Sequence, residues 1–237
     1  NGLCRPRCPL LLAGARMLVL IFHVEATGEY ARWGPDLAEL AVESCKRVMP
    51  QVPVVQLTDR ITPRVNGVDQ VSRLKPDDDC LMPLKHRHLA QDYGEPWIFL
   101  DADMLVAQSL EPVFDEPFDV AMVPRGEVRV VSDVQNIPPM KYNGGFIAAR
   151  DNALFVDSAA RIKTYTEDLR QWFGDQVALS ESAASGKYRV LDLPGTWNHM
   201  VTGPDDLGAK VLHYKGPKRK AWMPAAAARL RERGAGI

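Results

Sequence analysis

The stretch WIFLDADMLV, residues 97–106, decides the fold. Trp97, Ile98, Phe99 and Leu100 are four consecutive large apolar residues. A run without a polar face reads as a short strand buried on both sides, the kind found in parallel sheets. Asp101 and Asp103 follow at its C-terminal end. In an extended chain, alternate residues point the same way, about 6.6 Å apart. Two carboxylates so placed repel and are costly to desolvate. The pair therefore predicts a positive partner, and a divalent cation is the first candidate.

Working outward, MLVLIFHV (residues 17–24) is a second continuous apolar strand. Gly34 and Pro35 open a helix, with proline at a tolerated early position. Leu37, Leu40, Ala41, Ser44, Cys45 and Val48 recur on one face, and Pro50 closes it. VPVVQL (52–57) is the next strand and ends at Thr58 and Asp59. Residues 81–93 read as a helix, turned by Gly94 and Pro96 into the strand before the carboxylates. FDVAMV (118–123) and GGFIAAR (144–150) read as strands. Asp151 caps a helix whose buried face carries Phe155, Ala159, Ile162, Thr166 and Leu169. DQVALSESAAS (175–185) reads as helix, YRVLDL and KVLHYK as late strands, and the end of the chain as an Ala/Arg-rich helix. Strands alternating with helices predict a parallel sheet covered on both faces. Ligands of such sheets bind beyond the carboxyl ends of the strands, where Asp59, Asp101 and Asp103 fall.

The 237 residues suit one domain, and 46% apolar residues support a sizeable core. A formal net charge of −1 argues against bulk nucleic-acid binding. Cys4, Cys8, Cys45 and Cys80 have no zinc-type spacing. Cys45 is expected to be a buried free thiol. Cys80, His86 and His88 read as ordinary surface or core residues rather than a metal cluster. Residues 1–16, basic and then briefly apolar, read as a flexible extension. Arg16 interrupts the one candidate for a long apolar stretch, so no transmembrane segment and a cytoplasmic location are expected.

Other constellations point to the same chemistry. In KVLHYKGPKRKAW, His213 ends a strand and offers an imidazole for a metal. Gly216 allows close backbone approach. Lys215, Lys218, Arg219 and Lys220 gather positive charge, as a metal-chelated diphosphate requires. Asn143, before Gly144 and Gly145, offers a donor and an acceptor suited to sugar hydroxyls. Asp175 and Gln176 begin a helix, where they serve as a cap or bind a polyol. WNHM (197–200) offers an aromatic platform with polar groups.

In order, FLDADMLV, YNGGFIAA, GDQVAL, WN and HYKGPKRKAW resemble the signature run of GT-A fold glycosyltransferases of the glycogenin and galactosyltransferase type, glycosyltransferase family 8 and its relatives. The resemblance spans residues 17–222. It implies an α/β, Rossmann-like single domain, a mostly parallel sheet flanked by helices, over residues 17–223. Residues 224–237 then form a helical tail. It implies a hexosyltransferase that takes its sugar from UDP-glucose or UDP-galactose, retains anomeric configuration, and uses Mn2+, with Mg2+ admissible. Asp101, Asp103 and His213 are the implied metal ligands. Asn143, Asp175 and Gln176 line the sugar and acceptor site. Tyr30, Lys85, Ala102, Gly216, Arg219 and Lys220 complete the implied donor site, with Tyr30 stacking on uracil. The family's Lys-Pro-Trp is Lys220-Ala221-Trp222 here, one residue further from Gly216. Arg219 stands at the family spacing, so the phosphate-binding role falls to either Arg219 or Lys220. The resemblance implies an acceptor that is a glycan, lipid-linked or protein hydroxyl, which the sequence does not name, with its site expected on the loops at 60–80 and 124–142. Two alternatives remain: a haloacid dehalogenase-like phosphatase using Asp101 and Asp103, and a non-catalytic nucleotide-sugar or glycan-binding domain.

Overall fold

The computed structural model describes residues 16–25, 34–76, 80–125 and 137–234. The extension at 1–15, with Cys4 and Cys8, and the segment carrying Tyr30 lie outside the described residues. In chain order the elements are β1 (Leu18–Phe22), α1 (Gly34–Val48), β2 (Val54–Thr58), β3 (Gln70–Arg73), α2 (Leu81–Leu89), β4 (Trp97–Asp101), β5 (Met104–Val106), β6 (Val120–Pro124), β7 (Tyr142–Ala149), α3 (Ala153–Ile162), α4 (Glu167–Trp172), α5 (Gly174–Ala184), β8 (Val190–Asp192), β9 (His199–Met200), β10 (Val211–His213), α6 (Pro217–Lys220) and α7 (Met223–Gly234). Short 3-10 turns occupy Glu111–Asp115 and Gly195–Trp197.

The main sheet has seven strands in the order β3-β2-β1-β4-β7-β6-β8. It is mostly parallel; β7 runs antiparallel to its neighbours β4 and β6. The apolar runs are continuous because successive residues feed two cores. Val19, Ile21, Ile98 and Leu100 pack on one side with Ala38, Ala41 and Cys45 of α1. Leu18, Leu20, Trp97 and Phe99 pack on the other with Leu89, Phe155 and Leu179. Trp97 is 1% exposed and its ring centre lies 4.9 Å from that of Phe155. α7 adds Met223, Ala226, Ala227 and Leu230 to the first core, against α1. Burial pushes the Cys45 thiol up to about 12, so it is an inert core group.

Several boundaries differ from the sequence reading for local reasons. The helix expected over 81–93 stops at Leu89, because Asp92 accepts the Gly94 N–H in a turn and Gly94 takes a φ of 76°. The helix expected to run from 153 past Leu169 is two helices. Thr164 turns both its backbone N–H and its hydroxyl onto the Arg161 carbonyl, which ends α3. Asp151 accepts the Ala153 N–H, but the residue at the helix entry is Asn152. β3, inside the 60–80 loop, was not expected from the sequence; it adds a parallel edge strand to β2. No described helix is long and apolar enough to cross a membrane.

Candidate active site

The two carboxylates do not share an extended strand. β4 ends at Asp101, the chain turns at Ala102 and Asp103, and β5 starts a second sheet with order β5-β10-β9. The geometry assumed for an extended pair is thereby replaced by a convergent one. β10 pairs antiparallel with β5, with His213 opposite Met104. The Tyr214 N–H donates to the Asp103 carbonyl at 2.9 Å, locking that register. Ligand-type atoms of Asp101, Asp103 and His213 lie within 4.8 Å of one another. Among the described residues no other group of three His, Cys, Asp or Glu side chains does so, and Cys80, His86 and His88 form no such cluster.

Two side-chain nitrogens flank Asp103. His213 Nε2 lies 3.3 Å from one of its oxygens and Lys220 Nζ 3.2 Å from the other. Burial works against the charged carboxylate, but these two neighbours outweigh it and hold the Asp103 carboxyl well below the usual range. The other imidazole nitrogen of His213, Nδ1, is 2.8 Å from Asn198 Oδ1. Of the two candidates in the basic segment, Lys220 therefore reaches the acidic centre. Arg219 instead donates from Nε to the Val201 carbonyl and from Nη1 to the Lys215 carbonyl. Gly216 precedes α6 with a φ of 86°, a left-handed conformation that favours glycine.

The Gly-Gly pair on β7 explains itself by what a side chain would strike. A Cβ on Gly145 would stand 2.8 Å from His213 Cε1 and 3.1 Å from Asp101 Oδ2. One on Gly144 would stand 3.0 Å from Asp175 Oδ2. Asn143 turns its carbonyl oxygen back onto the Gly145 N–H at 2.9 Å. Its Nδ2 has no hydrogen-bond partner among the described residues.

Lys85 is buried beneath this floor. Its ammonium donates to Asp101 Oδ1 at 3.0 Å, the Gly144 carbonyl at 2.9 Å and Asp175 Oδ2 at 3.3 Å, and lies over the Phe99 ring. Three donors meet three acceptors. Burial disfavours its charge, but Asp101 and Asp175 outweigh that and raise its pKa. Asp175 is engaged at both oxygens, since Oδ1 accepts the Gln176 N–H at 2.7 Å. Gln176 Oε1 accepts from Arg125 Nη1 at 2.7 Å. The sequence reading missed Arg125, which follows β6 in no recognisable pattern, and took Asn198 as a polar group beside Trp197 rather than as the partner of His213.

This sheet order, with a carboxylate pair at the end of β4 and a second small sheet carrying the imidazole, defines the GT-A class of fold. No family model matches the chain, and no curated protein does. Solved structures do. The glycosyltransferase GlyE of Streptococcus pneumoniae matches at 15% identity with a TM-score of 0.59, over 92% of this chain and 64% of its own. The galactosyltransferase LgtC, solved with donor and acceptor sugar analogues, matches at 15% identity and TM-score 0.58, over 92% of this chain and 95% of its own. The bifunctional glycosyltransferase WbbM matches at 14% identity and TM-score 0.60, over 98% of this chain and 53% of its own. The chain thus spans less than two thirds of GlyE and of WbbM. At these identities the likeness establishes the shared fold.

Proposed function

We propose that this chain is a metal-dependent glycosyltransferase. It moves a hexose from UDP-glucose or UDP-galactose to an acceptor hydroxyl, with retention of configuration. The observation that carries the reading is the convergence of Asp101, Asp103 and His213 under the open face of Gly145, with Lys220 beside them. Two carboxylates and one imidazole suit Mn2+, with Mg2+ admissible. Asp101, Asp103 and His213 would hold such a cation, which would supply charge neutralisation for a departing diphosphate.

The chain's own groups have separable tasks. Lys220 offers a charge-assisted donor to a phosphate oxygen. Asn143 Nδ2 faces a sugar hydroxyl. Gln176 sits where the acceptor and sugar meet, held by Arg125. Asp175 is unsuited to act as a nucleophile, because Lys85 and the Gln176 N–H occupy its two oxygens. That favours a front-face path. The glycosidic C–O bond breaks with its electron pair going to the diphosphate. The acceptor oxygen bonds the same face of the anomeric carbon and gives its proton to the departing phosphate.

The proposal includes a cytoplasmic location, peripheral to a membrane where the acceptor is lipid-linked. The phosphatase alternative expects its Asp pair after the first strand, whereas here the pair follows β4. Release of UDP from UDP-glucose and UDP-galactose, with Mn2+ and a panel of glycan, lipid-linked and peptide acceptors, tests the reading. Transfer with one acceptor and retained configuration supports it. Release of inorganic phosphate from phosphomonoesters, with no sugar transfer, would replace it by the phosphatase.

A further inference from the structure

Asn198 sits where the 3-10 turn Gly195–Trp197 feeds β9. The strand it leads into pairs in parallel with β10, His199 opposite Leu212 and Met200 opposite His213. Its side chain is therefore delivered beside the imidazole by the small sheet, and it is 7% exposed. One end of its amide meets His213 Nδ1 at 2.8 Å. The other end, Nδ2, is buried without a hydrogen-bond partner. A buried amide group left unpaired costs about 1–3 kcal/mol.

The chemistry of His213 supplies a reason. A histidine ligates a cation through a nitrogen lone pair, so the neutral ring must carry its proton on the other nitrogen. Nε2 is the nitrogen that faces Asp103, at 3.3 Å. The proton then belongs on Nδ1, and the group 2.8 Å away must accept it. An amide oxygen does so; an amide nitrogen cannot. Resting on the metal-site reading above, we infer that Asn198 is a positioning residue for the metal. Its Oδ1 fixes the Nδ1–H tautomer of His213 and turns Nε2 to the cation.

The partner of a metal-binding histidine typically contributes about tenfold to a hundredfold in metal affinity. Binding of Mn2+ to the full chain, in the presence of UDP, is read from the fall in the free-Mn2+ electron paramagnetic resonance signal. Asn198→Leu keeps the size and removes the acceptor; it should weaken Mn2+ binding about tenfold or more. Asn198→Ala is the second variant, in case leucine does not fold. Asn198→Asp can only accept from Nδ1, and should keep affinity within about threefold of wild type, since the carboxylate acts in the same manner. A purely packing role would predict the reverse order, with leucine tolerated and a buried carboxylate harmful. Equal affinity in Asn198→Leu and wild type, or loss in Asn198→Asp equal to that in Asn198→Leu, overturns the inference. Absence of Mn2+ binding to the wild-type chain would instead remove the metal site itself, and the positioning role with it.

Discussion

His213 Nε2 lies 3.3 Å from Asp103 Oδ1, although the two residues are far apart in the sequence. The contact follows from one pairing, β5 against β10, in which His213 faces Met104 and the Tyr214 N–H reaches the Asp103 carbonyl. The acidic centre is thus held by backbone on both sides. Gly145 of β7 is the third wall.

Replacing Gly145 tests how tightly that wall fits. In Gly145→Ala the new methyl would press on His213 Cε1, Met104 Cε and Asp101 Oδ2 at 2.8, 3.0 and 3.1 Å. Overpacking of this kind costs about 1–3 kcal/mol, which at the ligands themselves becomes about fivefold to a hundredfold in cation affinity. Gly203→Ala is the control, since a Cβ there meets nothing within 4 Å. Titration of Mn2+ against both variants should separate them; equal affinities would show that the ligands move aside freely.

Lys85 carries a stability prediction. Lys85→Met leaves Asp175, which is 5% exposed, without its cation. Breaking one side of a buried pair typically destabilises by about 3–5 kcal/mol. Asp101 is partly exposed and adds less. Urea denaturation should show a loss near the lower figure, and the double variant Lys85→Met/Asp175→Leu should lose less than the two single losses added. Strict additivity would mean that the ion pair contributes nothing.

The basic segment separates Lys220 from Arg219. Lys220→Ala removes a cation 3.2 Å from Asp103 and should weaken donor binding and slow transfer. Arg219→Ala removes bonds to the Val201 and Lys215 carbonyls, neither of them at the acidic centre, and should leave donor affinity within about twofold, in line with the modest net worth of single hydrogen bonds. Like charges at Lys215, Lys218 and Arg219 repel, with only Lys220 of the four paired to a carboxylate among the described residues, Asp103. Hydrogen exchange across 215–221 should therefore slow on addition of UDP and Mn2+. Unchanged exchange with unchanged kinetics in both variants would reduce the segment to an ordinary surface turn.

Acid stability has two identifiable contributors. Burial lowers His86 to about 4 and His88 to about 4, from an ordinary value of 6.5. The unfolded chain then binds protons that the folded chain excludes. Stability from these two groups is full above pH 6.5 and declines as pH falls toward 4. Each depressed group contributes on the order of 3 kcal/mol across that window. Melting temperature should fall between pH 6.5 and 4, and fall less steeply in His86→Gln. An identical slope in that variant would place the acid sensitivity of this window elsewhere, in groups such as His88.

The layered sheet was legible because its strands are apolar on both faces. The turn at Ala102 and Asp103 was not legible. It uses neither glycine nor proline, and MLV reads as more of the same strand. The types of the site residues were legible from Asp101, Asp103, His213 and Lys220, but their convergence depends on a strand pairing between distant segments. Arg125 and Asn198 left little signal, because each acts through a neighbour, Gln176 or His213, and only the tertiary fold supplies that neighbour. The different contacts of Arg219 and Lys220 likewise depend on helix α6, whose one turn directs the two side chains to different partners.

Donor-dependent stabilisation with and without metal is the most direct test of the central claim. The melting temperature of wild type and of Asp103→Asn is to be measured with UDP-glucose or UDP-galactose, in Mn2+ and in excess chelator. The account predicts a rise for wild type with Mn2+, worth about 2.7 kcal/mol at one hundred times the dissociation constant, and none with chelator or in Asp103→Asn. Stabilisation by UDP-sugars of equal size in chelator, or none from either sugar in Mn2+, would contradict it.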